Sequence, residues 1–354
     1  YEGLQLPMDL ALKVESRWFA HILKSKEAAA MIRSLFISMQ ELNKGARRPA
    51  NVPPSNIKKV AVLGAGFMGA GIAYVTADAG IEVVLVDRDQ ASADKGKAHV
   101  ESVIDGRIKK GRATAADKEK LLARVKATAN YDDIKDVDLV VEAVFEDRKV
   151  KAEVIAKVDA VIRADAIFGS NTSTLPITSL ADMSKDKKRF VGIHFFSPVE
   201  KMMLVEIIKG KETGDKAVAV ALDYVRAIKK TPIVVEDSRG FYTSRCFGTY
   251  VREGAELLAD GVVPALIENA GRQLGMAVGP LAVSDEVSIE LAHKVMIATR
   301  KELGDAYVAT RSDEIIKQMV EGGRLGRKNG KGYYDYPEGG QKSLWPGLGQ
   351  LFPQ

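Results

Sequence analysis

A glycine-rich motif constrains the fold of this chain more than any other feature. Gly64-Ala65-Gly66-Phe67-Met68-Gly69 has G-x-G-x-x-G spacing, follows the apolar run Val60-Ala61-Val62-Leu63, and opens a helix predicted from Ala70 to Ala79. In such a strand–turn–helix the first glycine allows the tight turn, the second admits a pyrophosphate and the third allows close helix–strand packing. We therefore predict a dinucleotide site at Gly64, Gly66, Phe67, Met68 and Gly69.

The second apolar run, Val83-Val84-Leu85-Val86, supplies the next part of the predicted cofactor site. It ends before Asp87, roughly 20 residues after the glycines, where such sites carry an acidic residue. A carboxylate there accepts hydrogen bonds from the ribose hydroxyls and repels a 2′-phosphate, which favours NAD over NADP. Arg88 stands next to it and is the one feature that favours NADP.

Short apolar runs continue along the chain, and most are separated by helical stretches. Uniformly apolar strands that alternate with helices indicate a mostly parallel sheet covered on both faces. After Asp237 the strand signals stop, and residues 241–320 have helical character. The predicted fold class is therefore α/β: a Rossmann-type sheet domain, preceded by a helical linker segment and followed by an all-α C-terminal domain. The further predicted strands lie at 137–141, 166–169, 190–193, 204–208 and 232–235.

Breaks in these patterns predict the domain boundaries. Residues 1–55 form a helical segment that ends in an Arg- and Pro-rich linker, and residues 56–238 form the sheet domain. Residues 239–336 form the helical domain. Residues 337–354, rich in Gly and Pro, are expected to be an irregular tail.

Composition excludes several classes of protein. The net charge of +5 among 354 residues is too small to indicate a nucleic-acid-binding protein. No apolar run approaches the roughly 18 residues that a membrane-spanning helix needs. Cys246 is the only cysteine, which rules out an intrachain disulfide and fits a reducing compartment. The chain contains neither H-E-x-x-H nor G-x-S-x-G, so no metal site and no hydrolase chemistry are predicted.

Three polar features mark the candidate catalytic centre. His194 ends a predicted strand, where a neutral imidazole can take a proton near neutral pH. Glu206 interrupts the apolar strand at 204–208 and could orient that histidine; alternatively it is an edge-strand residue that faces water. Ser170-Asn171-Thr172-Ser173 follows another strand and could hold a polar substrate group, but the same residues are common in turns and helix caps.

The segment from about Ile57 to Tyr336 resembles the L-3-hydroxyacyl-CoA dehydrogenase family. Several motifs carry the resemblance, in order along the chain. They are the glycine motif with its preceding strand, Val140-Val141-Glu142-Ala143-Val144-Phe145-Glu146-Asp147, Ser170-Asn171-Thr172-Ser173, His194-Phe195-Phe196-Ser197-Pro198-Val199, Leu204-Val205-Glu206, and Gly326-Arg327-Lys328-Asn329-Gly330-Lys331-Gly332-Tyr333-Tyr334.

The resemblance implies an NAD-dependent enzyme that oxidises 3-hydroxyacyl-CoA to 3-ketoacyl-CoA in fatty-acid β-oxidation. It implies that His194 is the general base, that Glu206 is its partner, and that Ser173 contacts both substrate and nicotinamide. Further NAD contacts are implied at Glu146, Lys151 and Lys328.

The sequence departs from the family pattern at two positions. Ser244 and Ser197 stand where the family usually has asparagine. The asparagine at the first position binds substrate, so Ser244 is the candidate substrate-binding residue in its place. Its shorter side chain could reach the substrate through a bridging water.

Residues 1 to about 50 resemble the end of the enoyl-CoA hydratase half of the fused β-oxidation enzymes. Leu6-Pro7-Met8-Asp9-Leu10-Ala11-Leu12-Lys13-Val14-Glu15 and Trp18-Phe19 carry this likeness. It implies an internal piece of a multifunctional α-subunit, with a thiolase subunit as partner, a homodimer through the helical domain, and a location in a bacterial-type cytoplasm or an organelle matrix. Two alternatives stay open: a related two-domain hydroxy-acid dehydrogenase, and a non-catalytic NAD-binding structural relative.

Overall fold

The chain divides into two compact units, Tyr1–Tyr242 and Thr243–Gln354. The computed structural model describes residues 1–352, apart from the side chain of Glu302. The division falls a few residues after the boundary predicted at 238. The first unit contains two apolar cores, and the second unit contains one of its own.

One sheet organises the first unit. Among the described residues it contains eight strands in the order β3-β2-β1-β4-β5-β6-β7-β8. All neighbouring strands in it run parallel except β6 and β7, which are antiparallel. The strands are β1 (Lys59–Leu63), β2 (Glu82–Val86), β3 (Val125–Thr128), β4 (Leu139–Glu142), β5 (Ile167–Ser170), β6 (Phe190–Phe195), β7 (Leu204–Lys209) and β8 (Thr231–Glu236).

Helices cover both faces of this sheet, because alternate residues of each strand point to opposite sides. In β1, Val60 and Val62 belong to one apolar core, and Ala61 and Leu63 belong to the other. The helices of the first unit are α1 (Met8–Leu23), α2 (Lys26–Met31), α3 (Ser38–Asn43), α4 (Phe67–Asp78), α5 (Gln90–Ile108), α6 (Ala115–Ala123), α7 (Arg148–Val161), α8 (Ile177–Ala181) and α9 (Asp215–Ala227).

The edge strand β3 was not predicted from the sequence. Its four residues, Val-Lys-Ala-Thr, are buried only at the two ends of the strand and form no apolar run. An edge strand is paired on one side only, so it needs less apolar surface than a central strand. The sequence pattern of a buried parallel strand is therefore absent here.

The N-terminal segment is helical, as predicted, but much of its apolar surface is exposed. A π-helical stretch, Ile32–Ile37, joins α2 to α3. Trp18, Phe19 and Phe36 are each more than half exposed. Arg48 ties the following linker to α9 by two hydrogen bonds to the Asp223 carboxylate, at 2.8 and 2.9 Å.

The second unit is mainly helical and, with the mostly parallel sheet, confirms the predicted fold class. The predicted irregular tail contains more regular structure than expected: β10 pairs with β9, and Leu348 is buried. Pro353 and Gln354 lie outside the described residues. The elements of this unit are α10 (Thr243–Ala259), α11 (Pro264–Gln273), α12 (Pro280–Val287), α13 (Ile289–Leu303), α14 (Arg311–Glu321), β9 (Tyr334–Asp335), β10 (Ser343–Leu344) and α15 (Leu348–Leu351).

Within residues 1–352, no helix combines the length and the apolar composition that a membrane crossing requires.

Candidate active site and dinucleotide site

The predicted catalytic residues meet at one edge of the sheet. Strands β4, β5 and β6 run parallel, so their carboxyl ends lie side by side, and ligands of open α/β sheets bind at that edge. Strand β7 runs the opposite way, and the β6–β7 register pairs His194 directly with Glu206. The reversal of β7 therefore brings a carboxylate from the beginning of one strand to the histidine near the end of another.

His194 and Glu206 form a buried hydrogen-bonded pair. Nδ1 of His194 lies 2.8 Å from Oε2 of Glu206, and the two residues are 6% and 0% exposed. The edge-strand alternative, in which Glu206 faces water, is therefore wrong. A carboxylate at Nδ1 favours the tautomer with its proton on Nδ1, which leaves Nε2 as the basic nitrogen. This arrangement suits a general base.

The loop after β8 supports this pair from a second side. The backbone N–H of Tyr242 donates to Oε1 of Glu206 at 3.1 Å. The preceding residue, Phe241, is buried, has a φ of 48°, and places its ring 5.9 Å from the ring of His194. A left-handed conformation is costly for a bulky residue. It is maintained here where the backbone turns toward Glu206.

The three glycines of the dinucleotide motif differ in what surrounds them. Gly64 has a φ of 91°, and a Cβ on it would lie 2.6 Å from the carbonyl oxygen of Ala143. A Cβ on Gly69 would lie 1.7 Å from the carbonyl oxygen of Gly64, whereas a Cβ on Gly66 would meet nothing within 4 Å. The first and third glycines are thus required by the fold, while the second leaves the open approach that a pyrophosphate needs.

Helix α4 begins at this open position. Its N-cap is Gly66, which has no side chain, so no N-cap side chain accepts a hydrogen bond from the first N–H groups of the helix. Such a terminus binds phosphate through these N–H groups and the positive end of the helix dipole. Phe67 is exposed beside this terminus, and Met68 is half-buried against the core.

Asp87 lies at the end of β2, next to the glycine loop. Its Oδ2 accepts a hydrogen bond from the backbone N–H of Ala65 at 2.6 Å, and its Oδ1 accepts one from the N–H of Arg88 at 2.7 Å. The side chain of Arg88 is exposed and pairs with Asp89. Each carboxylate oxygen of Asp87 retains acceptor capacity for ribose hydroxyls. These residues fit NAD.

Glu146 hydrogen-bonds the loop that contains Ser173. Its Oε1 accepts hydrogen bonds from the hydroxyl of Thr172 at 2.6 Å and from the N–H groups of Ser173 and Thr174 at 3.0 Å each. Burial raises the pKa of Glu146, but the Lys151 ammonium, 3.2 Å away, and these hydrogen bonds outweigh burial and hold that pKa below the usual range. Glu146 is therefore a stable anion that fixes the loop.

Ser173 itself is exposed, as a residue that contacts a ligand must be. The loop before it is joined to the histidine strand, because Oδ1 of Asn171 accepts a hydrogen bond from the N–H of Phe195 at 2.8 Å. The structure thus places Ser173 on a loop fixed both to Glu146 and to the end of β6. Its contacts with substrate and nicotinamide remain predictions.

Two predicted site residues, Ser244 and Lys328, belong to the second unit. Ser244 is the second residue of α10 and is exposed. Lys328 is exposed in a 3₁₀ turn, Arg327–Asn329, which lies between Gly326 and Gly330, both with positive φ. Their roles toward substrate and NAD remain predictions. In the first unit, Ser197 follows the histidine strand and precedes a cis proline.

Sequence reasoning missed the role of Glu142 at this edge. It ends β4, is fully buried, and hydrogen-bonds both Lys151 and Ser170 at 2.7 Å. The available signal was the one that identified Glu206: a carboxylate in an otherwise apolar strand, which is costly unless it has a partner.

Comparison with known proteins identifies the family. The model of the 3-hydroxyacyl-CoA dehydrogenase NAD-binding domain matches residues 59–238. The model of the 3-hydroxyacyl-CoA dehydrogenase C-terminal domain matches residues 240–336.

Curated and solved relatives agree with these matches. The fatty acid oxidation complex subunit alpha of Shewanella baltica (strain OS185) is 36% identical over 345 residues, which cover 97% of this chain and 48% of that protein. The (S)-3-hydroxybutyryl-CoA dehydrogenase of Ralstonia eutropha is 36% identical, with a TM-score of 0.74, over 80% of this chain and 100% of that one. The dehydrogenase part of multifunctional enzyme 1 from C. elegans is 28% identical, with a TM-score of 0.62, over 90% of this chain and 74% of that one.

These matches confirm the predicted family, the dehydrogenase class and NAD as the cofactor. The chain spans about half the length of the curated relatives it matches.

Proposed function

The chain belongs to the 3-hydroxyacyl-CoA dehydrogenase family, and on that premise we propose that it oxidises L-3-hydroxyacyl-CoA to 3-ketoacyl-CoA with NAD⁺. The observation that carries this proposal is the buried His194–Glu206 pair at the carboxyl edge of the sheet. A base at that edge is needed to take the hydroxyl proton of an alcohol.

Four residues have proposed roles in the reaction. Nε2 of His194 takes the proton from the substrate 3-hydroxyl, and the Glu206 carboxylate stabilises the imidazolium that forms. The Ser173 hydroxyl hydrogen-bonds the reacting oxygen and orients it, and Ser244 contacts the substrate. When bound, NAD⁺ supplies the hydride acceptor.

Most of the proposed cofactor contacts lie in the first unit. In the first unit, the N–H groups around Phe67 and Met68 and the open side of Gly66 suit the pyrophosphate, and Asp87 suits the adenosine ribose. Glu146 stands beside the Ser173 loop and contacts the cofactor there, and Lys151, which is only 1% exposed, supports this contact through its ion pair with Glu146. Lys328 provides the contact from the second unit.

The activity is tested with acetoacetyl-CoA as the substrate of the reverse reaction, by the loss of NADH absorbance. Removal of a positioned acid–base group costs about 10²- to 10⁴-fold in rate, so His194→Gln should lose activity by that factor. The control is His21→Gln, a change at an exposed residue of α1. Wild-type turnover by His194→Gln would exclude His194 as the base, and NADH oxidation that did not require the thioester would point to another hydroxy-acid substrate.

The cofactor preference is tested by calorimetry. Asp87→Ala should weaken NAD⁺ binding by about 1–2 kcal/mol, the value of a hydrogen bond to a charged group, and should reduce the preference for NADH over NADPH. Unchanged affinity in the variant would contradict the role of Asp87.

At the level of the whole protein, we extend the proposal to fatty-acid β-oxidation in a bacterial-type cytoplasm, with association with a thiolase subunit. The support is that the curated relatives are bacterial and are named as α-subunits of a fatty acid oxidation complex.

We also propose a homodimer through the second unit. The support is the apolar surface of α13, where Leu291, Val295 and Ile297 are each more than 40% exposed. Sedimentation of the chain should then show self-association, and a monomer at high concentration would contradict it.

A further inference from the structure

Glu142 lies between two loops that the reaction uses. It is the last residue of β4, where the register pairs it with Leu63 of β1 on one side and with Ser170 of β5 on the other. Leu63 precedes the glycine loop of the dinucleotide site, and Ser170 precedes the loop that contains Ser173. Glu142 is therefore placed to act on both loops, although its side chain is 0% exposed.

Both oxygens of the Glu142 carboxylate accept hydrogen bonds, and the donors belong to three segments. Oε1 accepts hydrogen bonds from Nζ of Lys151 at 2.7 Å and from the N–H of Val144 at 2.9 Å, and Oε2 accepts one from Oγ of Ser170 at 2.7 Å. A buried ion pair is often no more stabilising than apolar residues of the same volume. Stability alone is therefore a weak reason for a carboxylate here.

The contacts continue from Glu142 to the backbone of Ser173. Lys151, only 1% exposed, also lies 3.2 Å from Oε2 of Glu146, so one ammonium joins two carboxylates. The other oxygen of Glu146 accepts the N–H groups of Ser173 and Thr174. A continuous series of charge-assisted hydrogen bonds, which are stronger and shorter than neutral ones, thus runs from Glu142 to the Ser173 loop.

We propose that Glu142 is a positioning residue of the dehydrogenase, acting on Ser173 through Lys151 and Glu146. The proposal rests on the proposed function, in which the Ser173 hydroxyl orients the reacting oxygen. The lysine ammonium is a point charge on a flexible stem, and its ion pair with Glu142 fixes it beside Glu146. With Lys151 fixed, Glu146 holds the N–H of Ser173, and the direction of the Ser173 side chain follows from its backbone.

A second buried pair provides a matched control. Asp159 pairs with Arg189 and accepts hydrogen bonds from Ser184 and Lys185. Asp159 and Lys151 lie on the same helix, α7, but Arg189 immediately precedes β6, at the amino edge of the sheet. This pair is also a buried carboxylate paired with a cation, with each residue 8% exposed, but it lies at the opposite edge from the reaction. Asp159→Asn therefore reports the general cost of disturbing a buried carboxylate.

The test is a double-mutant cycle in the full chain, with acetoacetyl-CoA and NADH as substrates. Glu142→Gln keeps the shape of the side chain and removes its charge; Ser173→Ala removes the hydroxyl that it is proposed to orient. A displacement of about 1 Å near the reacting atoms costs about 100-fold, so Glu142→Gln should lower kcat by about 10- to 100-fold. In the Ser173→Ala background the same change should cost less than about threefold, because the oriented group is already absent.

Asp159→Asn should keep its kcat within about threefold of wild type, even where it lowers the unfolding temperature as much as Glu142→Gln does. If Glu142→Gln does not fold, the double variant Glu142→Gln/Lys151→Met takes its place in the cycle. The double variant removes both buried charges together, so neither charge is left without its partner. Equal losses of kcat in the two backgrounds, or wild-type kcat in Glu142→Gln, would overturn the positioning role and leave the proposed function standing. A wild-type chain without turnover would refute the proposed function and the positioning role with it.

Discussion

Replacement of Glu206 by glutamine isolates the electrostatic part of the His194–Glu206 pair. Glutamine has nearly the shape of glutamate, and its Oε1 can still accept the Nδ1–H of His194 at the observed 2.8 Å. The orientation of the imidazole is then retained, and the negative charge is lost. Because Glu206 is fully buried, solvent cannot replace that charge.

The expected effect follows from the charge that develops on His194 during the reaction. In the proposed mechanism, oxidation of the substrate converts the histidine to an imidazolium, which a carboxylate stabilises and an amide does not. A hydrogen bond to a charged group contributes about 1.5–3 kcal/mol, so Glu206→Gln should raise the barrier by about 2–3 kcal/mol. At about 1.36 kcal/mol for each factor of ten, kcat should fall by about 30- to 160-fold.

The variant also has a stability cost that must be measured separately. Glu206 accepts the N–H of Tyr242 at 3.1 Å as well, and an amide offers one acceptor oxygen instead of two. The free energy of unfolding should therefore fall by about 1–2 kcal/mol, the cost of an unsatisfied buried donor.

The assay is steady-state NADH formation from an L-3-hydroxyacyl-CoA, combined with urea unfolding. The control is Glu236→Gln, an exposed glutamate that ends the adjacent strand β8, which should change neither quantity. A folded Glu206→Gln variant with kcat within threefold of wild type would refute the argument that this carboxylate stabilises the imidazolium.

Three further predictions concern the glycine loop and the helical unit. Gly69→Ala should lower the free energy of unfolding by about 3 kcal/mol, the upper range for overpacking, because its Cβ would overlap the Gly64 carbonyl. Gly66→Ala should leave the free energy of unfolding unchanged and lower NAD⁺ affinity at least tenfold, as measured by calorimetry. Equal stability of the two variants would contradict this prediction. Ser288 has a φ of 108° and is the N-cap of α13. Ser288→Gly should raise the free energy of unfolding by about 1 kcal/mol, because relief of backbone strain exceeds the few tenths of a kcal/mol that glycine loses at an N-cap. An unchanged urea unfolding curve would contradict this prediction. Burial raises the pKa of Asp285 to about 6, above the value of about 3.9 in the unfolded chain. The folded state therefore binds the proton more tightly than the unfolded state does. As the pH rises from 4 to 6, the free energy of unfolding should fall by about 2 kcal/mol. Asp285→Asn should remove this pH dependence of the free energy of unfolding. The same pH dependence in the variant as in the wild type would contradict the prediction.

Most of the fold was predictable because its strands are buried on both faces. Central strands such as β1 and β4 consist almost entirely of apolar residues, and the helices between them fix a parallel sheet. The edge strand β3 escaped prediction, since pairing on one side leaves it without an apolar run. The pairing of β10 with β9 also escaped, since two-residue strands have no detectable period.

The candidate site was predictable where a residue type is rare in its setting. His194 at a strand end and Glu206 in an apolar strand stand out in the sequence, and the glycine spacing identifies the dinucleotide loop. Glu142 carries the same signal, but its meaning depends on Lys151 and Ser170, which lie on two other elements. A single sequence does not say which of several buried charges become partners.

The sequence by itself determined the alternation of strands and helices, the dinucleotide loop and which residues are candidates for acid–base chemistry. These features follow from local composition and spacing, which act over a few residues at a time. The tertiary structure alone decided that β7 runs against β6, and so whether Glu206 faces water or His194. The physical reason is that strand direction and register depend on the packing of the whole sheet, and a buried carboxylate is stable only where that packing provides its partner.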